Sequence, residues 1–261
     1  MNSRNLDLHK LNSITKYPSI LTYHASAEKG QLKPLTTDSF EGETEIIVTE
    51  KIDGAGCRII LLQDGFFIGS REELLTHSGD LLFNPTQGIV EGLRAAATEL
   101  HERYAPKDDG IKAIFVEFYG GKVTATSKQY TNGDIHKTSW RMFDAFNLSR
   151  EIFAKLMASQ VEDIASWRDH GGQPYFSEQA LRGLGITIAP RLSASPPPRT
   201  LEATYAWLQQ TITKSKVTLD FLAEGKPEGV VVRTPDRRKI VKIRYDDYSR
   251  TLRMGALKAA A

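Results

Sequence analysis

The sequence has a single cysteine, Cys57, in 261 residues. One thiol cannot close an internal disulfide or build a cysteine-rich zinc site, so the fold must rest on an apolar core, and a reducing compartment suits it. Long apolar runs are missing too. None approaches the roughly 20 residues needed to span a bilayer, and the opening MNSRNLDLHKLNS lacks the apolar core of a signal peptide. The expectation is a soluble, cytoplasmic protein with no membrane partner. Nor does one sign of charge dominate: 34 Lys and Arg face 32 Asp and Glu, with a pI near 8.5. That excludes a histone-like, purely electrostatic binder and leaves room for a local basic groove beside an acidic metal site. There is no internal repeat and no low-complexity tract.

Strand signals dominate the first half. TEIIVTE at 44–50 is β-branched, IDGAG at 52–56 reads as a turn, and CRIILLQ at 57–63 reads as a strand. Asp64-Gly65 is a hairpin signal, with FFIGS at 66–70 returning. Residues 88–104 carry apolar side chains at helical spacing, and IKAIFVEFYG (111–120) and SWRMFDAFN (139–147) are further strands. The stretch 149–223 reads as mostly helical, interrupted at 171–175 and 189–200. Its Pro196-Pro197-Pro198 run fits an ordered surface loop better than a linker, because composition does not change across it. EGVVVRT (228–234) and RKIVKIRY (238–245) form a hairpin across Pro235-Asp236, and a short helix closes the chain from 246. Strands on both sides of a helical insert predict an α+β fold with antiparallel sheets flanked by helices.

The segment EKIDGAGCR (50–58) carries the most chemical information. Lys51 ends a strand just before a glycine-containing turn. A lysine nucleophile must lose its proton, against an ordinary pKa of about 10.4, and burial or neighbouring cations assist. Asp53 lies two positions on, and Gly54 and Gly56 would let the backbone approach a phosphate or sugar. The plain alternative is a solvated lysine and an ordinary Asp-Gly turn. Glu117 sits between Val116 and Phe118 in an apolar strand, where a carboxylate has either solvent or a specific partner such as a ribose hydroxyl or a metal-bound water. Glu228 and Arg233 bracket EGVVVR. Lys242 and Arg244 share one face of the following strand by period-two alternation. Such cations form either a cross-strand salt-bridge ladder or a clamp on triphosphate oxygens.

In this order the segments resemble the covalent nucleotidyltransferase superfamily of polynucleotide ligases and mRNA capping enzymes. Lys51-Ile52-Asp53-Gly54 is similar to its lysine motif, and Arg71 in GSREE to the arginine that follows. Glu117, Phe143-Asp144, Glu228 and Lys242-Ile243-Arg244 resemble the later motifs. Within the superfamily the chain looks most like the ATP-dependent RNA ligase 2 branch, to which ITKYPSI (14–20) and Ile188-Ala189-Pro190 are also similar. The likeness covers nearly the whole chain and is weakest in the helical insert.

The resemblance implies an RNA ligase that joins 5′-phosphate and 3′-hydroxyl RNA ends, as in a nicked duplex, using ATP and Mg²⁺ or Mn²⁺. Lys51 would attack the α-phosphate, and Lys242 and Arg244 would neutralise it. Glu50 would help hold adenine, Phe143 would stack on it, and Arg71 and Glu117 would bind ribose and phosphate. Asp53, Gly54, Arg58 and Arg233 complete the expected nucleotide-binding set, and Glu228 would hold the metal. Gly56 departs from the branch, which usually has Asn five residues after the nucleophile. With only residues 246–261 beyond the last motif, the expectation is a single adenylation domain over 1–261, without an OB-fold or C-terminal accessory domain, and either recruited by another protein or narrow in its end specificity. The rival readings are a DNA ligase, a capping-type guanylyltransferase, and a non-catalytic nucleotide- or RNA-end-binding module.

Overall fold

A computed structural model describes residues 3–27, 30–77, 80–83 and 87–259. The strands are β1 (Leu21–Thr22), β2 (Ile47–Lys51), β3 (Ala55–Leu61), β4 (Phe66–Ser70), β5 (Leu74–His77), β6 (Asp80–Leu81), β7 (Ile111–Gly120), β8 (Thr138–Leu148), β9 (Arg191–Leu192), β10 (Gly229–Arg233) and β11 (Ile240–Arg244). The helices are α1 (Leu8–Thr15), α2 (Ile89–Tyr104), α3 (Arg150–Ala158), α4 (Val161–Asp169), α5 (Glu178–Gly183), α6 (Leu201–Thr211) and α7 (Tyr245–Ala259). The chain packs as two compact units. The first comprises Met1–Pro18, Gly54–Lys128 and Asp134–Ile188; the second comprises Ser19–Asp53, Gln129–Gly133 and Ala189–Ala261.

The first unit is built on a six-stranded antiparallel sheet in the order β6-β5-β4-β3-β7-β8. Both of its faces are covered. On one side Cys57, Ile59 and Leu61 of β3 pack with the apolar stripe Ile89, Val90, Leu93, Ala97 and Leu100 of α2. On the other, Ile60, Phe67 and Phe115 pack with Leu11 and Ile14 of α1 and with Phe153 and Leu156 of α3. A sheet buried on both faces needs no polar alternation, which is why residues 57–62 read as an almost continuous apolar run. The lone Cys57 lies in this core, and burial pushes its thiol well above the ordinary range.

The second unit holds a five-stranded sheet in the order β1-β11-β10-β2-β9, antiparallel except where β1 runs parallel to β11. Here the apolar core lies on one face. Val48, Val230, Val232, Val241 and Ile243 pack against Trp207 and Leu208 of α6 and Tyr248 of α7. The opposite face carries half-buried Thr49, Lys51, Val231, Lys242 and Arg244. The proline-rich stretch is ordered as expected: Tyr23 Oη donates to the Pro197 carbonyl at 3.1 Å and Thr204 Oγ1 to that of Pro198 at 2.8 Å.

Candidate active site

In the second unit, cross-strand register sets the geometry. Gly229 of β10 pairs with Lys51 of β2 on one side and with Arg244 of β11 on the other. Lys51 and Arg244 therefore flank one glycine in a single row, with Glu228 immediately before it. A Cβ at Gly229 would lie 2.1 Å from the Ile243 carbonyl oxygen, so only glycine lets the hairpin close there. Lys51 Nζ donates to Glu228 Oε2 at 2.6 Å, and Arg244 Nη1 lies 4.0 Å from Glu228 Oε1. Burial raises the Glu228 pKa, with Lys51 acting in the opposite direction. Lys242 belongs to the next row, opposite Val231, and shares the face of Arg244. Arg233 lies elsewhere, buried at the far end of β10 opposite Ile47 and Ile240. Four strand positions place it about 13 Å along β10 from Gly229.

Glu50, one residue before Lys51, points to the opposite face and is 2% exposed. Its carboxylate accepts from Ser215 Oγ and from the Lys216 backbone N–H, the latter at 2.8 Å. It thereby fixes the segment that leads to Glu228. The Asp53 backbone N–H donates to Tyr130 Oη at 2.9 Å. Tyr130 is fully buried, and burial holds its hydroxyl far above the ordinary tyrosine range.

The other expected residues belong to the first unit. Gly54 is glycine because of a close approach, and the approach is to β7: a Cβ there would sit 2.3 Å from the Phe118 carbonyl oxygen. Gly56 pairs with Glu117 across β3 and β7, and a Cβ at Gly56 would lie an unstrained 3.9 Å from Glu117 Oε2. Arg58 is 1% exposed, with Nη1 donating to the Asn12 carbonyl at 3.4 Å and Nη2 to Asn12 Oδ1. Burial lowers its pKa to about 10 against the opposing pull of Glu72 and Glu73. The guanidinium is thus committed to α1. Arg71 is exposed in the β4–β5 turn, 3.6 Å from Glu72. Phe143 is half-buried and meets Tyr17 edge to face at 5.1 Å, while Tyr17 Oη donates to Asp144 Oδ2 at 2.9 Å.

Reading the sequence missed Asp247, Ser215 and Tyr130. Asp247 is buried and binds Arg244 through two contacts, from Nε at 2.8 Å and from Nη2 at 3.2 Å. Its signal was available, since it lies three residues after Arg244 in the first turn of a helix. Nothing local distinguishes Ser215 or Tyr130. Among the described residues no group of three or more His, Cys, Asp or Glu could hold a metal ion. Glu228 alone still suits a hard divalent ion that keeps most of its water and shares phosphate oxygens. No helix among the described residues is long and apolar enough to cross a membrane.

The sequence profile of the RNA ligase family matches residues 44–244. No curated protein matches the chain. Among solved structures it is similar to Naegleria gruberi RNA ligase. Against a mutant of that enzyme with ATP and Mn the TM-score is 0.51 at 14% identity, covering 89% of this chain and 63% of that one. Against the enzyme with PPi the TM-score is 0.51 at 14% identity, covering 91% and 64%. The chain thus spans less than two thirds of these structures, and at this identity the likeness is one of fold. The profile covers well over half of the sequence: the chain belongs to the RNA ligase family.

Proposed function

We propose that this member of the RNA ligase family is an ATP-dependent RNA ligase working through a lysyl-AMP on Lys51, with AMP passing to a 5′-phosphate RNA end and a 3′-hydroxyl then displacing it. The observation that carries the proposal is the row Lys51–Gly229–Arg244 with Glu228 against it, inside the segment that the family profile matches. Three cations, Lys51, Lys242 and Arg244, share one face of one sheet, which suits the charge of a triphosphate and of the phosphoryl group in transit. For Lys51 to act, its amine has to leave Glu228 Oε2 and shed a proton. Its nitrogen then bonds the α-phosphorus as the bond to pyrophosphate breaks.

Arg244, oriented by Asp247, and Lys242 stabilise the negative charge on the α-phosphate oxygens. A Mg²⁺ or Mn²⁺ held by Glu228 would offset the charge of the triphosphate and its leaving group. Naegleria ligase structures with ATP and Mn support this pairing of nucleotide and metal. Glu117, Arg71 and Phe143 remain the proposed contacts to ribose, phosphate and adenine. Glu50 acts on the nucleotide through the segment it anchors.

The test is mass spectrometry of the protein after incubation with ATP and Mg²⁺. One AMP should be gained through an acid-labile, base-stable bond, and Lys51→Ala should gain none while melting normally. A Lys51→Ala protein that still takes up AMP would exclude Lys51 as the nucleophile.

A further inference from the structure

The 213–227 segment has an unusual construction. It is exposed at its tip and tied down on every side. Ser215 and Lys216 are bonded to Glu50, and the Ser215 N–H donates to the Gly225 carbonyl at 2.7 Å. The Leu219 N–H donates to the Tyr130 carbonyl at 2.8 Å, and the Gly225 N–H to that of Gln129 at 3.2 Å. Between these anchors a turn closes on Asp220, whose Oδ1 accepts from the Leu222 N–H at 2.9 Å and whose carbonyl accepts from the Ala223 N–H at 3.2 Å. This pre-formed turn presents Phe221 at 87% exposure, the highest of any large hydrophobic side chain among the described residues, and Leu222 at 63%. Lys214, Lys216 and Lys226 are exposed on the same segment. One end of the segment pins the residue before Lys51, and the other runs into Glu228, to which Lys51 is bonded.

We infer that the 220–224 turn is a nucleic-acid contact, in which Phe221 stacks on a base of the RNA near the end that Lys51 serves and the three lysines meet its phosphates. The inference rests on the ligase reading for the identity of that RNA. Ordering an aromatic ring in water gains the protein nothing in the free state, whereas a base offers it a π-face. An exposed aromatic on a segment whose three lysines outnumber its two carboxylates, Asp220 and Glu224, fits sequence-tolerant RNA and single-strand binding. A protein-docking core would instead be depleted of charge. Because the turn is already formed, binding does not have to order it.

The experiment compares the wild type with Phe221→Ala and Phe221→Trp, using a nicked RNA duplex that carries 2-aminopurine at the nick and a fluorescein label. Phe221→Ala should bind about tenfold more weakly, and its 2-aminopurine emission should lose the quenching seen with wild type. Phe221→Trp should keep the affinity, with its added tryptophan emission quenched by RNA. AMP uptake from ATP should be the same in all three, since Glu50 is anchored at Ser215 and Lys216 and the Phe221 side chain at the tip is 87% exposed. Unchanged RNA affinity in Phe221→Ala, or equal losses in both variants, would overturn the inference and leave the tip to a protein partner. The two readings fail separately. A wild type that takes up no AMP while Phe221→Ala still loses RNA sinks the ligase reading alone, and normal uptake with normal RNA binding by Phe221→Ala sinks this one alone.

Discussion

Arg244 owes its aim to one buried carboxylate. Asp247 takes both Nε and Nη2, which leaves the guanidinium no freedom to turn away from the row that holds Lys51. Asp247→Asn keeps the shape and removes the charge, so Arg244 should still be present but poorly held. The expected result is a fall of AMP uptake by about tenfold, or ~1.4 kcal/mol of transition-state stabilisation, measured as the single-turnover rate of the AMP adduct. An unchanged rate would take Arg244 out of phosphate stabilisation. His24 gives a second residue-level prediction. Its Nε2 donates to the Arg199 carbonyl at 3.0 Å and its Nδ1 accepts from Tyr248 Oη at 2.6 Å, an arrangement that fits the neutral ring. Burial lowers its pKa, so below the ordinary histidine value of about 6.5 the unfolded chain binds a proton that the folded chain refuses. The stability held by the neutral ring is therefore complete above about pH 6.5 and is lost as pH falls. His77, also lowered by burial, has the same sign; Glu228, raised by burial, has the opposite sign. The melting temperature should drop between pH 6.5 and 5, and His24→Gln should flatten that drop while melting lower at pH 7.5. A His24→Gln profile parallel to wild type would clear His24 of the effect.

At the scale of elements, much of this architecture is legible because strands are local. Alternation alone puts Lys242 and Arg244 on one face of β11, and the structure has them there with Val241 and Ile243 buried behind. The hairpin across Pro235-Asp236 follows from two β-branched runs with a turn between them. What could not be read is which partner each polar group meets. Glu50 lies on the covered side of β2 and is met there by a serine 165 residues away. Arg58 sits in a run whose apolar neighbours predict the strand but not the asparagine of α1 that accepts from Nη1 and Nη2 of the guanidinium. The glycines of the lysine segment make the same point in a testable way. Gly54 and Gly56 look alike in sequence, yet a Cβ at Gly54 meets Phe118 backbone at 2.3 Å and one at Gly56 meets only the end of a side chain at 3.9 Å. Gly54→Ala should therefore cost about 1–3 kcal/mol in urea denaturation, as overpacking does, while Gly56→Ala should stay within roughly 0.5 kcal/mol of wild type. Equal losses at both positions would refute the assignment of Gly54 to close packing against β7.

At the scale of the whole molecule, the described residues pack as two units, each assembled from three separate stretches. Periodicity and turn signals report on a few residues at a time, so they cannot show that the chain changes unit between Asp53 and Gly54, inside the lysine segment itself. The ligase reading meets its most demanding test where the steps of the reaction are separated. An RNA strand that already carries 5′-AMP bypasses attack by the lysine. Lys51→Ala should seal such a strand to a 3′-hydroxyl and should fail with ATP and a 5′-phosphate strand. Lys242→Ala should recover in part, since the role proposed for its charge is on the α-phosphate in both transfers but on the triphosphate only in the first. Loss of one such contact costs on the order of a hundredfold in rate. Glu117→Ala should fail with both substrates, because AMP must be held by its ribose in every step. Failure of Lys51→Ala on a pre-adenylated end that wild type seals would leave a covalent transferase with another acceptor as the better account. Normal sealing of that end by Glu117→Ala would show that Glu117 takes no part in handling AMP after it has left the lysine.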